Sequence, residues 1–337
     1  MNKFVLALFA SVFLAWLYPP LGSASGTFSL TTLAHWGISV IFFFYGLRLN
    51  RRRICSGLRN FRLHVVTQAA TFILFPLLAL AVIHLFGLIP AGNPFASPLS
   101  ALALGTFFLA ALPSTVSSSV VMTNLARGNV PAAIFNASLS SLAGVFITPI
   151  WMRLYLNAST GGTALGSTLL SLTCQVLLPV ALGIALNKRL GWFSVKYDNG
   201  LRLFDQSVIL LIVYTSFCHS FAERMFDGLS FPALFLLAAV MVLFFFTVYG
   251  IIGAAARLLK FNREDRITAL YCGSKKSLVH GTVMSAVLLT DPKLAGILIL
   301  PTMIYHALQL LIVGILAERQ RRALPSEPEF PAQPQDA

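Results

Sequence analysis

The sequence predicts an all-α polytopic membrane protein of ten transmembrane helices, arranged as two inverted five-helix repeats. Three observations carry this reading. Hydrophobic residues make up 57% of the 337 residues and charged residues only 10%, a balance that would leave a soluble chain with apolar surface in water. Apolar stretches of membrane-crossing length recur with short polar breaks. The basic residues gather at alternate breaks. Lipid leaves a bare backbone amide or carbonyl unsatisfied, and nothing here alternates like a barrel strand, so the spans are helices.

In chain order the first span runs from Phe4 to Leu17, after Lys3, and the second from Leu30 to Leu47, before six basic residues between Arg48 and Arg62. The third, His64 to Phe86, and the fourth, Ser100 to Leu125, lead to Arg127, and the fifth is Ala132 to Leu156. After a short loop, Asn157 to Thr163, the sixth span, Ala164 to Leu186, precedes four basic residues between Lys188 and Arg202. Leu201 to Ser220 is the seventh, and Phe231 to Leu258 the eighth. Four more basic residues between Arg257 and Arg266 separate the eighth from the ninth, Ile267 to Leu289; the tenth, Pro292 to Leu316, ends near Arg319, Arg321 and Arg322.

With both termini cytoplasmic, 19 of the 24 Lys and Arg residues fall on the inner side, while Arg153, Arg224 and Lys293 fall outside. Dropping or adding a helix would spread basic loops over both faces, so the bias predicts ten spans in the plasma (inner) membrane. The net charge of +13 then belongs to loops beside an anionic lipid leaflet, and no nucleic-acid partner is needed. Lys3, the first apolar run and Gly22-Ser23-Ala24-Ser25 also resemble a secretory signal, but cleavage would leave an odd half. The four cysteines, Cys55, Cys174, Cys218 and Cys272, form no C-x-x-C pair and read as buried thiols. Residues 318–337, with Pro325, Pro328, Pro331 and Pro334, read as a disordered cytoplasmic tail.

Residues 1–156 thus form one five-helix repeat and 164–317 a second that enters the membrane in the opposite sense, because five is odd. Transporters of this plan bring discontinuous helices from corresponding positions to the bilayer midplane. The fourth span carries Leu112-Pro113-Ser114-Thr115-Val116-Ser117-Ser118-Ser119, and the ninth carries Cys272-Gly273-Ser274-Lys275-Lys276-Ser277-Leu278-Val279-His280-Gly281. Pro113 removes a backbone donor, and Gly273 and Gly281 weaken their helix, so each span is expected to break near its middle. Amide ends after the breaks would attract an anion, and carbonyl ends before them would hold a cation. The plainer alternative is that these small residues only allow close helix packing.

Lys275 and Lys276 sit nine and ten residues into the ninth span, about 13 to 15 Å deep at 1.5 Å per residue. Each costs about 2.5 to 3.5 kcal/mol at a helix centre. No Asp or Glu lies at that depth, so burial works against the charged forms, and an anion or a proton is the expected visitor. Among other intramembrane polar residues are Gln68 and Thr71, one turn apart on the third helix, Asn136 on the fifth, Gln175 on the sixth, His280 on the ninth, and His306 and Gln309 on the tenth. Asn136 and His280 are the favoured ligands among them, with His280 suited to moving a proton.

The segment Met122-Thr123-Asn124-Leu125-Ala126-Arg127-Gly128-Asn129-Val130, together with Gly273-Ser274-Lys275-Lys276-Ser277-Leu278, resembles the bile acid:sodium symporter family, in its SBF-like branch, over residues 1–320. The resemblance implies a panel domain from the first and sixth helices with their neighbours. It also implies a core domain in which the fourth and ninth helices cross, and alternating access as core moves against panel. Sodium ligands of that family carry over poorly: a Ser-Asn pair appears as Ser119-Val120, hydroxyl positions as Ala133 and Ala137, an acid and a glutamine as Tyr271 and Lys275, and a Gln before Pro as Thr71 before Pro76. Lys275 is therefore expected in the place of the cation.

The sequence thus points to a secondary transporter of a small organic anion, sodium-independent or proton-linked. Its site is expected at Ser114, Thr115, Ser117, Ser118, Ser119, Asn136, Thr71, Gln68, Gly273, Ser274, Lys275, Lys276, Ser277 and His280. No resident cofactor or metal is expected, with sodium or a proton as the coupling ion, and nothing in the sequence marks an oligomeric state. The rival reading is a membrane regulator or scaffold without flux whose lysines bind an anionic lipid or ligand. An intramembrane enzyme is disfavoured, since no H-E-x-x-H, paired intramembrane aspartates or G-x-S-x-G occurs.

Overall fold

A computed structural model describes residues 3–24, 29–48, 60–88, 97–160, 178–222, 224, 230–288 and 295–322. The beginning of the expected sixth span, with Gln175, and the expected tail from residue 323 onward lie outside the described residues, as do Cys55 and Cys174. The described chain is helical: α1 Lys3–Leu17, α2 Pro19–Ser23, α3 Leu30–Leu47, α4 Phe61–Leu85, α5 Pro98–Ala111, α6 Ser117–Leu125 and α7 Val130–Thr160, followed by α8 Leu178–Lys196, α9 Asp198–Ala222, α10 Phe231–Leu258, α11 Arg263–Gly273, α12 Leu278–Leu288 and α13 Ala295–Arg322. Six of these, α3, α4, α7, α9, α10 and α13, are long and apolar enough to cross a membrane, and α1 and α5 are shorter apolar helices. The molecule is a polytopic membrane protein.

Local chemistry sets the helix starts. The Ser29 hydroxyl accepts from the Thr32 amide at 3.1 Å, Ser97 and Ser100 form a capping box on α5, and the Asn262 side chain accepts from the Asp265 amide at 2.7 Å. Each satisfies an amide that the first helical turn leaves open. At the end of α6, Arg127 takes the left-handed region (φ 55°), with the Gly128 amide on the Thr123 carbonyl at 2.8 Å and the Arg127 amide on that of Asn124 at 2.9 Å. This double closure ends a helix by satisfying its last carbonyls. Asn129 then caps α7 through Ala132 and donates to Asp265 at 2.8 Å, while Asn60 donates to the other oxygen of that carboxylate at 2.5 Å. The motif Met122 to Val130 therefore ties α4, α6, α7 and α11 together at one end.

Two sets of helices pack internally. α3 lies along α8, and α9 lies along α1, α2 and α3. Gly46 and Gly183 let the α3 and α8 backbones touch, since a Cβ on Gly183 would run into the Phe43 carbonyl oxygen and one on Gly46 into that of Val180. The other set joins α4, α5, α6, α7, α10, α11, α12 and α13 around a core that includes Phe75, Phe107, Phe108, Phe245, Tyr271 and Tyr305. α9 meets this set against α12 and α13.

The fourth and ninth segments are each interrupted, at 112–116 between α5 and α6 and at 274–277 between α11 and α12. Gly281 does not take part in the second break, contrary to the sequence expectation. It lies within α12, where a Cβ would press on Leu112 Cδ1 at 2.7 Å and Thr302 Cγ2 at 3.1 Å; close packing, not helix ending, calls for glycine there.

Candidate functional site

The two interruptions are hydrogen-bonded to each other. The Ser277 amide donates to the Pro113 carbonyl at 2.9 Å, and the Ser114 hydroxyl donates to the Cys272 carbonyl at 2.6 Å. The Ser114 amide, lost to its helix, donates to Ser140 Oγ at 2.9 Å, and the freed Ala111 carbonyl accepts from Thr148 Oγ1 at 2.8 Å. α13 holds the second break from behind, with Gln309 bonded to both the amide and the carbonyl of Lys276 at 2.8 Å each. Tyr305 donates to the Ser274 carbonyl at 2.7 Å, and Ser274 Oγ donates to the Leu270 carbonyl. Backbone groups that lose helical partners must find others away from water, and here they do so across elements distant in sequence.

Lys275 and Lys276 are both 0% exposed. The Lys276 ammonium donates to three backbone carbonyls, those of Thr71 at 2.7 Å, Ala110 at 2.6 Å and Leu112 at 2.7 Å. It also lies over the Phe75 ring, 4.2 Å from the centroid, a placement that stabilises a desolvated cation by about 2 kcal/mol. An ammonium has three donors, so its hydrogen-bonding capacity is filled. Lys275 Nζ instead donates to the Ser118 carbonyl at 2.7 Å. The carbonyl cage thus belongs to Lys276, whereas the sequence reading gave the cation's place to Lys275; the two neighbours point apart on either side of the break.

The sequence named Thr71 but did not reveal that its carbonyl is the acceptor. Residues 70–74 of α4 form a π turn in which the Phe75 amide reaches back to Ala70. Pro76 follows and has no amide proton to offer. The Thr71 carbonyl is left for Lys276, and that of Phe72 accepts from Trp151 Nε1 at 2.8 Å. A proline in mid-span was the visible signal, because π turns at such places often accompany function.

The remaining expected residues divide. Thr115, Ser118 and Ser119 form one hydroxyl cluster, with Thr115 Oγ1 2.8 Å from both Ser118 and Ser119 Oγ. Ser277 caps α12, its hydroxyl 3.3 Å from the His280 amide and 3.1 Å from His280 Nδ1. Gly273 is the last residue of α11. Ser117 opens α6, and its side chain lies outside those described. Gln68 and Asn136 bond to one another, Gln68 Nε2 to Asn136 Oδ1 at 3.2 Å and to its carbonyl at 3.1 Å. Asn136 is fully buried and also donates to the Ala132 carbonyl; it links α4 to α7 and stands apart from the lysines' bonds. Thr71 contributes its carbonyl, with its hydroxyl spent on Thr67.

A cavity of about 790 Å³ lies between the two helix sets. Its walls come from α3, α8 and α9 on one side and α7, α12 and α13 on the other. Thr115, Val116 and Ser118 at the start of α6, Ser277 and His280 at the start of α12, and His306 line one region, and Arg48, Asp198, Arg202 and Asp205 line another. Arg48 Nη1 and Asp205 Oδ2 pair at 2.7 Å. Neither lysine lines the cavity. Among the described residues, no group of His, Cys, Asp and Glu is placed to hold a metal ion.

Comparison with known proteins decides the family. Residues 2–322 match the model of the SBF-like CPA transporter family. The chain belongs to this family. An SBF-like CPA transporter of this kind has relatives in bacteria and vertebrates. The chain is 39% identical to "Uncharacterized protein PA2026" of Pseudomonas aeruginosa, over 95% of this chain and 93% of that one. It is 34% identical to "Putative symporter YfeH" of Escherichia coli (strain K12), over 96% and 93%. To "Sodium/bile acid cotransporter 7-B" of Xenopus laevis it is 25% identical, over 93% and 90%. The resemblance read from the Met122 to Val130 and Gly273 to Leu278 segments is thereby established along nearly the whole chain.

Proposed function

We propose that this SBF-like CPA transporter family member is a secondary transporter that carries a small organic anion by alternating access, without sodium coupling. One observation carries the ion assignment: the Lys276 ammonium occupies three carbonyl oxygens at 2.6 to 2.7 Å, the kind of oxygen set a sodium ion requires. A sodium ion 4 Å from that ammonium would meet a repulsion of about 4 kcal/mol at an effective dielectric of 20, roughly a thousandfold in affinity. The cation is built into the chain.

In this reading the chain forms two inverted five-helix repeats. α1, α2, α3, α8 and α9 act as the panel, and the remaining helices as the core that moves against it. The cavity between them extends to Arg48 and Asp205, at the end that the basic-residue bias assigns to the cytoplasm. The anion sits where the N-terminal turns of α6 and α12 reach the cavity, beside Thr115, Ser118, Ser277 and His280. The positive ends of the two helix dipoles favour negative charge there. The lysines lie behind this floor and act through their field, which replaces the direct lysine contact expected from the sequence.

The test is thermal-shift screening of the purified protein with bile acids, steroid sulfates, keto acids and nucleotide-like anions, in sodium and in choline buffers, followed by uptake in proteoliposomes. A stabilising carboxylate or sulfate that is taken up equally in both buffers is the expected result. Uptake that vanishes without sodium and returns with it would overturn the ion assignment. Binding without uptake would mark a regulator instead.

A further inference from the structure

The two adjacent lysines have unlike surroundings, although the chain presents them as a pair. Lys276 fills all three donor positions with carbonyl oxygens and faces an aromatic ring, so its charged form is matched atom for atom. Lys275 is equally buried but, among the described residues, has one oxygen acceptor, the Ser118 carbonyl. A neutral amine has two donors and a lone pair, and loses less than an ammonium does in a place that offers one acceptor. No Asp or Glu pairs with either lysine among the described residues. The titratable groups beside Lys275 are Cys272 on α11, Lys276 next in the chain, and His306 on α13. None supplies a fixed negative charge. Ser118, whose carbonyl accepts the Lys275 hydrogen bond, lines the cavity, and so does His306.

Resting on the transporter reading above, we infer that Lys275 is the exchangeable proton site of the transport cycle and that Lys276 is a permanent charge. In the deprotonating step one Nζ–H bond breaks, the proton passes to a water molecule at the cavity floor to give hydronium, and the electron pair stays on Nζ as the neutral amine. The reverse step restores the ammonium when an anion arrives at the amide ends of α6 and α12, whose negative charge then faces it. Anion and proton travel together, so the sodium-free carrier is a proton symporter.

The test is side-chain ¹⁵Nζ NMR of the full-length, lysine-labelled protein in detergent micelles, between about pH 5 and about pH 8. Lys275→Arg and Lys276→Arg variants assign the two buried resonances. We expect the resonance missing from Lys275→Arg to move from ammonium to amine position as pH rises, and the one missing from Lys276→Arg to stay an ammonium throughout. Two ammonium resonances that never move, or titration of Lys276 in place of Lys275, would overturn the inference. If one arginine variant misfolds, the resonance missing from the other assigns both by elimination: a moving Lys275 resonance beside a static Lys276 resonance supports the inference, and any other pattern refutes it. Uptake in proteoliposomes reads the other question separately. Anion flux with a static Lys275 spectrum leaves the transporter and removes the proton site, whereas a titrating Lys275 in a protein that moves no anion removes the transporter.

Discussion

The Lys276 ammonium lies 2.7 Å from the carbonyl oxygen of Thr71, an oxygen that Pro76 leaves without an amide partner five residues later. A lysine of one interrupted segment is thus held by the π turn of another helix. The same ammonium closes the end of α5 through Ala110 and Leu112. One charge replaces the donors that three carbonyls of two helices have lost.

Lys276→Ala removes the donor from all three carbonyls. We expect a loss of about 3 to 5 kcal/mol, since buried acceptors are left unpaired, seen as a lower Tm in detergent. The vacated oxygens should then welcome sodium, so that sodium chloride raises the Tm of the variant above its value in choline chloride. The wild-type protein should respond equally to both salts. A variant indifferent to sodium would show that the carbonyls do not form a cation site.

Pro76→Ala should not stabilise α4. Removing proline from a helix interior ordinarily recovers about 3 kcal/mol. Here the new amide would compete with Lys276 for the Thr71 carbonyl and with Trp151 for that of Phe72. An unchanged or lower Tm is expected, and a clear rise would mean that the π turn contributes nothing to holding the lysine.

Gly183→Ala and Gly250→Ala should move in opposite directions. A Cβ on Gly183 runs into the α3 backbone at Phe43, whereas one on Gly250 in α10 meets nothing within 4 Å. Overpacking costs about 1 to 3 kcal/mol, and alanine in place of an unhindered helical glycine gains about 1. Thermal unfolding of the two variants side by side measures the difference.

Ser277→Ala removes the hydroxyl beside the His280 amide. Loss of a cap costs about 0.5 to 2 kcal/mol. If the start of α12 receives the anion, affinity for a stabilising ligand should also change; the dissociation constant of the variant, by titration calorimetry, separates a cap from a cap that also serves binding.

Much of the site's location was legible along the chain. Pro113 and the polar runs at 112–119 and 272–281 announced interruptions, and the structure puts them at 112–116 and 274–277. Lys275 and Lys276 were expected inside an apolar span, and both are buried. Their acceptors were not legible, because backbone carbonyls carry no sequence signature and every residue has one. Gln68 and Asn136 looked like ligands, being polar residues within spans, and in the structure Gln68 Nε2 donates to Asn136. Gly281 looked like a breaker because glycine weakens any helix, and only the nearness of Leu112 shows why it stands there.

By itself the sequence determined that the chain lives in lipid, that its spans are helices, and that two of them break around a buried pair of lysines. Those conclusions depend on hydrophobicity, on span length and on residues that lack a donor or a side chain, all local properties. The tertiary structure decided that Lys276 is the caged charge and Lys275 the sparsely bonded one. Adjacent helix-break residues point in different directions, and the oxygens that distinguish them come from α4, α5 and α6, as far as about 200 residues away. Which neighbour meets which carbonyl depends on how those helices pack, and packing is a property of the whole chain.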